Sequence, residues 1–268
     1  MEERSLMKDA PKTQPTLTDE IDGALQFLKL GTWPSIIRDD IATMSPAESA
    51  TVSKYLARWT AHELAHRNTI TIASRIKSAQ FVKLQTIDDF DFNYNKSTQR
   101  LRDEYLKLHH STVQGSTKSC VFVGTAGLGK THLARALGYA ACQARQSTFF
   151  TTAAKMINGL RTAKASNRLE AELHKYRRPR NLIIDELCYV TMDNEDSNLL
   201  FQVISARHDA ELGTIATSNL PFGQWNQILS NNAIAHALVD RLTDNASVFY
   251  LEGVSYREAR TKQRNSKK

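Results

Sequence analysis

The stretch GTAGLGKTHLARALG, residues 124–138, decides the fold. Gly124, Gly129, Lys130 and Thr131 stand at the G-x-x-x-x-G-K-[ST] spacing of a phosphate-binding loop. Glycines let successive backbone N–H groups turn inward around phosphate oxygens. The helix that follows adds the positive end of its dipole. On this pattern Gly124, Thr125, Ala126, Gly127, Leu128, Gly129, Lys130, Thr131 and His132 line a nucleotide, which we expect to be ATP. Lys130 would reach the β- and γ-phosphates and Thr131 would ligate Mg2+. Three uses of the nucleotide are open at this point: phosphate transfer to a metabolite, a motor, or a timed clamp on something large.

Working outward, CVFVG (120–124) is a short apolar run that leads into the loop, and THLARALGYAACQA reads as its helix. STFFTT (147–152), NLIIDE (181–186), TIATSN (214–219) and SVFYLEG (247–253) are further strand candidates, with helical stretches between them. Alternating strands and helices predict a parallel sheet wrapped by helices, an α/β domain. NLIIDE ends in two acids. Asp185 would hold Mg2+ through water, and Glu186 would polarise an attacking water. A kinase acting on a metabolite has no need of that second acid, so the pair favours hydrolysis. Asn219, at the end of the next strand, either orients the water or simply starts a polar turn before Pro221. Two late arginines, Arg241 and Arg257, are candidates for charge stabilisation at the γ-phosphate, one of them from a neighbouring subunit.

The remainder divides by composition. Residues 1–16, interrupted by Pro11 and Pro15, read as disordered. Residues 17–85 read as a small helical domain for partner or DNA interaction. Its first helix falls within 18–30, with Gly31 and Pro34 as breakers. A second starts at Ser45-Pro46-Ala47-Glu48, where Ser45 caps, Pro46 takes the first helical position and Glu48 closes a capping box. Residues 86–118 read as a linker and entry to the nucleotide-binding core, anchored by Phe90 and Phe92. Residues 119–258 form the core, and 259–268 a basic tail with Arg260, Lys262, Arg264, Lys267 and Lys268.

The order of loop, acid pair, polar strand end and late arginines resembles that of AAA+ ATPases. GLGKTHLARALG, LIIDEL, TSNLPFGQW, the DRL segment, EGVSYR and the linker IDDFDF are similar to the IstB-like family of insertion-sequence transposition helpers, relatives of the DnaC helicase loader. The likeness covers roughly residues 18–260. Where many members read Gly-Tyr-Leu-Pro after the acids, this chain has Cys188-Tyr189-Val190-Thr191. The resemblance implies an AAA+ P-loop domain behind a small all-helical domain. It also implies an ATP-dependent homo-oligomer that binds and deforms duplex DNA and presents it to a DDE-type transposase. On the same basis Arg241 becomes a finger acting in trans, and Arg257 a second sensor in cis. A replicative helicase loader is the alternative, and a DNA-architectural protein with structural nucleotide a remoter one.

Bulk properties fit these expectations. The formal charge is +7 over 268 residues with pI about 9.3, which suits a polyanionic partner without requiring one. Basic residues concentrate in RTAKASNRLEAELHKYRRPR (161–180): Arg161, Lys164, Arg168, Lys175, Arg177, Arg178 and Arg180. In helicase-loader and initiator relatives a helical insertion facing DNA sits here. Such side chains would bind phosphates irrespective of sequence. Cys120, Cys142 and Cys188 have no metal-ligand spacing and read as buried thiols. No run has the length of a membrane span and the N-terminus has no apolar leader, so we expect a cytoplasmic protein without a membrane partner.

Overall fold

The computed structural model describes residues 17–259. The disorder expected for 1–16 and the basic residues expected from Arg260 to Lys268 lie outside the described residues. The chain divides into two compact units, up to Ile70 and from Thr71 onward.

The first unit is helical: α1 (Leu17–Phe27), α2 (Trp33–Thr43) and the start of α3 (Pro46–Ser78). Ile21, Leu25 and Leu28 are buried. Arg38 pairs with Asp22 at 2.5 Å, and Arg67 donates to the Leu28 carbonyl at 3.0 Å. Glu48 accepts from both the amide and the hydroxyl of Ser45, at 3.0 and 2.6 Å, so α3 starts where the sequence predicts. Helix α2 departs from expectation. Pro34 begins a helix instead of only ending one, because a first-turn position has no intrahelical acceptor for the missing N–H.

The second unit is built on five parallel strands, β1 (Cys120–Gly124), β2 (Thr148–Thr152), β3 (Asn181–Asp185), β4 (Gly213–Ser218) and β5 (Ser247–Leu251), in the order β2-β3-β4-β1-β5. Every residue of β3 is buried, as a strand covered on both faces requires. Leu182 and Ile184 join one apolar cluster with Met156, Leu200 and Trp225. Ile183 joins the other with Tyr105, Leu133 and Phe249. The first cluster is covered by α6 (Ala153–Ala165), α7 (Leu169–Arg177), α8 (Asn194–Asp209) and α9 (Asn232–Thr243). The second is covered by α5 (Lys130–Gln143) and α4 (Lys96–Val113).

Helix α4 lies where only a linker is expected. Asn95 and Thr98 form a reciprocal capping box, and Leu101, Tyr105, Leu108 and Thr112 turn one buried stripe inward. The linker before it is anchored as expected: Phe92 is buried and Phe90 meets it edge-on at 4.7 Å. Residues just after α3 belong to this unit as well, for the Phe150 amide donates to the Ala79 carbonyl at 2.8 Å. The three cysteines are free and buried. Among the described residues no helix is long and apolar enough to cross a membrane.

Candidate nucleotide site

Parallel register places Val123 beside Ser218 and Ile184 beside Ala216, so the tips of β1, β4 and β3 lie in a row. The glycine loop leaves the tip of β1 and enters α5. This is the carboxyl edge of an open parallel sheet, where such folds bind ligands. Two glycines fix the loop. Gly129 caps α5 in the left-handed region at φ 91, and a Cβ there would stand 2.5 Å from the Phe90 ring. Gly127 has φ 82 and lies under Ser255, whose Oγ would be 2.1 Å from an added Cβ. The loop is thus clasped between the linker and the segment after β5. The Tyr256 amide donates to the Gly127 carbonyl at 3.0 Å, and Asn95 exchanges two 3.0 Å bonds with Val254.

Lys130 folds onto the loop and donates to the Thr125 carbonyl at 2.7 Å. Burial lowers its pKa, Asp185 and Glu186 pull the other way, and Arg257 lowers it again. Arg257 directly follows Tyr256, whose amide is bonded to the loop, so its backbone lies beside the loop. Thr131 donates to Asp185 Oδ1 at 2.8 Å, joining the two groups expected to hold Mg2+. The donor set is a hydroxyl and a carboxylate, hard oxygens that suit Mg2+ when substrate phosphates and water complete its shell. Leu128 is buried in the second apolar cluster, so only its backbone is offered to a ligand. His132 turns its ring to the linker: Nε2 donates to the Thr86 carbonyl at 2.8 Å and the ring packs edge-on to Phe90. Its part in the loop is to brace it from below. Thr125 and Ala126 are exposed at the rim.

Asp185 is buried, whereas Glu186 is exposed one residue on. The change of environment comes from a left-handed backbone at Glu186, φ 57, unusual for a non-glycine residue. Strand β4 holds that turn. Thr217 Oγ1 donates to Asp185 Oδ1 at 2.6 Å and accepts from the Glu186 amide at 2.9 Å, while its carbonyl accepts from Leu187 at 2.9 Å. Asn219 is exposed just past Ser218, beside the tip of β1. Buried Trp225 steadies that end of β4 by donating to the Leu220 carbonyl at 3.2 Å.

Sequence reasoning missed Arg135 and the Thr217 hydroxyl. Arg135 stands one helical turn after Thr131, with Nη2 4.0 Å from Asp185 Oδ2, Nη1 on Gln85 and its face on the Phe150 ring. Its i, i+4 relation to Thr131 is the one signal in the sequence.

Other predicted residues fall elsewhere. Arg241 lies at the opposite edge of the sheet, in a cleft of about 730 Å3 with Ser119, Gly213 and Ser247 at the strand starts. It donates to Ser205 at 3.1 Å and covers the Phe201 ring. Crossing a five-residue strand separates the two edges by about 15 Å. The basic insertion is two helices, α6 and α7, broken at Asn167. Much of its charge is already paired: Arg161 with Asp193 and buried Asp196, Lys164 with Glu195, Lys175 with Glu172 and Arg177 with Glu170. Arg168 and Arg178 are exposed with no ion pair among the described residues, and Arg180 is exposed with a hydrogen bond to Thr117 at 2.6 Å.

A parallel sheet ordered β2-β3-β4-β1-β5, a glycine loop from its central region and an acid on the neighbouring strand tip define an AAA+ P-loop domain. The solved DnaC helicase loader has the same fold, with TM-score 0.54 and 19% identity over 62% of this chain and 96% of that one. The chain belongs to the IstB-like ATP-binding proteins, whose family model matches residues 27–265. It is 33% identical to the ATP-binding protein named for insertion sequence IS232 in Bacillus thuringiensis subsp. berliner, over 87% of this chain and 92% of the relative. It is 34% identical to the counterpart named for IS5376 in Geobacillus stearothermophilus, over 81% and 85%.

Proposed function

We propose that this chain is an ATPase that assembles on duplex DNA as a homo-oligomer and prepares it for a DDE-type transposase. The carrying observation is the split between its two adjacent acids. Asp185 is buried and held by Thr131 and Thr217, while the left-handed turn sends Glu186 out to solvent. In this reading one carboxylate serves a cation and the other accepts a proton from water. Thr131 and Asp185 would hold Mg2+, which when bound supplies positive charge beside the phosphates. Lys130 exchanges its Thr125 bond for phosphate oxygens, and the N-terminal amides of α5 complete the grip. Asn219, exposed beside the same strand tips, orients the water.

Kinship to insertion-sequence proteins supports the transposition context, and the exposed cations Arg168, Arg178 and Arg180 support a phosphate-backbone contact that ignores sequence. The experiment is Glu186→Gln in the full chain, assayed for ATP binding, phosphate release and retention on duplex DNA. Binding should persist, turnover should fall by about 100-fold or more, and the DNA-bound assembly should outlive that of the unaltered protein. Unchanged phosphate release refutes the role of Glu186. Retention of the transposase, and not of a replicative helicase, on the immobilised chain checks the partner.

A further inference from the structure

We infer that Thr217 is a positioning residue that locks both acids of the nucleotide site to strand β4. The inference rests on the ATPase reading and assigns a role that neither the phosphate loop nor the acids themselves supply. One hydroxyl makes two bonds of opposite sense. It donates to Asp185 Oδ1 at 2.6 Å and accepts from the Glu186 amide at 2.9 Å. The Thr217 side chain is buried, so neither bond is shared with bulk water. A hydroxyl has one proton and two lone pairs, so this single oxygen satisfies a carboxylate and an amide at once. Valine has the shape without the polarity. Serine retains both functions.

Two consequences follow for the acids. Asp185 Oδ1 receives Thr131 at 2.8 Å as well as Thr217, so this oxygen is fixed from both sides and Oδ2 is left toward Arg135 at 4.0 Å. The carboxylate has one orientation in which both hydroxyls are served. Glu186 needs its amide anchored, because a left-handed backbone at φ 57 is disfavoured for an L residue with a long side chain. Without the anchor the peptide is free to rotate to an ordinary extended conformation. That rotation swings Glu186 away from the strand tips, and Asp185 Oδ1 keeps only Thr131 of its two hydroxyl donors. The carbonyl of Thr217 holds the Leu187 amide independently at 2.9 Å, which any residue at 217 preserves. The side chain of Thr217 thus governs both acids, and its backbone governs the rest of the turn. Asn219 lies two residues further on, just past the end of β4, so the water-orienting group directly follows the strand that carries the lock on both acids.

The test compares Thr217→Val with Thr217→Ser in the full-length protein. The first readout is amide hydrogen exchange without nucleotide or metal. In Thr217→Val, exchange at Glu186 should accelerate by about tenfold or more while Leu187 stays protected, and Thr217→Ser should retain the original pattern. The second is ATP hydrolysis: kcat should fall by about 10- to 100-fold in Thr217→Val, the loss expected for one hydrogen bond to a charged group. ATP affinity measured without Mg2+ should change by less than about twofold, since the loop and Lys130 are untouched. Thr217→Ser should recover most of the rate. Wild-type exchange at Glu186 in the valine variant overturns the proposal, and so does an equal loss of rate in both variants. If the unaltered protein fails to hydrolyse ATP, the ATPase reading falls, and the exchange contrast at Glu186 still decides the role of Thr217.

Discussion

Arg207 is wholly buried and has no carboxylate within ion-pair distance among the described residues. Its guanidinium donates instead to the carbonyls of Tyr176 at 2.9 Å, Pro179 at 2.8 Å and Gly213 at 2.5 Å, and to Thr214 Oγ1 at 3.1 Å. It caps the end of α7 and fastens the turn between α7 and β3 to the start of β4. Burial lowers its pKa to about 9, a sign of how much hydration it gives up. Arg207→Met keeps the apolar stem and removes the donors. The three closest of its carbonyls then lose a partner in the interior, each at about 1–3 kcal/mol. Relief of the buried charge offsets part of that sum, because apolar replacement of buried ions is often close to neutral when no partner is orphaned. Here partners are orphaned, and a net loss of about 3 kcal/mol follows. For a unit of this size that lowers Tm by about 6–12 °C. The assay is a thermal melt of the full chain, with ATP affinity measured well below the transition. Affinity should hold, since Arg207 lies at the far edge of the sheet from the loop. A drop of less than about 2 °C would refute the reasoning and show that the turn 177–180 does not depend on this side chain.

Lys130→Ala should abolish ATP binding at concentrations that saturate the unaltered protein, measured by equilibrium titration, and with it any ATP-dependent assembly on DNA. Arg241→Ala should still bind ATP yet lose turnover, and mixing it with Lys130→Ala subunits should restore some activity, because each chain supplies the part the other lacks. Arg168→Ala with Arg178→Ala should weaken binding to all duplex sequences alike and reduce the salt slope by about 0.9 per lost phosphate contact. Lys164→Ala should change that slope less, since its charge is already matched by Glu195 at 2.8 Å.

Strands and loop were legible because each is a local signal. CVFVG and NLIID are compact apolar runs, GTIATS is a β-prone run centred on Ile215 and Ala216, and the loop glycines carry their spacing openly. Helix α4 was not, since KSTQRLRDEYLKLHHSTV is dominated by charge and its stripe of Leu101, Tyr105 and Leu108 is sparse. Helix α2 was hidden by reading Pro34 as an end. The ion pairing within the insertion was hidden for a different reason. The partners of Arg161 and Lys164 are Asp196 and Glu195 at the start of α8, some thirty residues away and brought near only by packing. Thr217 and Asp185 are likewise 32 positions apart and meet through strand register alone. Local sequence shows which groups are charged. It does not show which charges have already been spoken for.

The two edges of the sheet carry different halves of the proposed chemistry. The carboxyl edge holds Lys130, Thr131, both acids and the neighbourhood of Arg257, all within one chain. Arg241 is at the amino edge, half-buried against Phe201 and Ser205, in a cleft that has room for a projecting surface. No rotamer of an arginine spans the roughly 15 Å between them. If Arg241 acts on a γ-phosphate at all, that phosphate sits on another subunit, and hydrolysis is then slow until neighbours stack amino edge to carboxyl edge. Such a dependence couples the lifetime of ATP to the state of the assembly. Turnover that is independent of protein concentration, at levels spanning the onset of oligomer formation, would remove this coupling and leave Arg241 as a brace between α8 and α9.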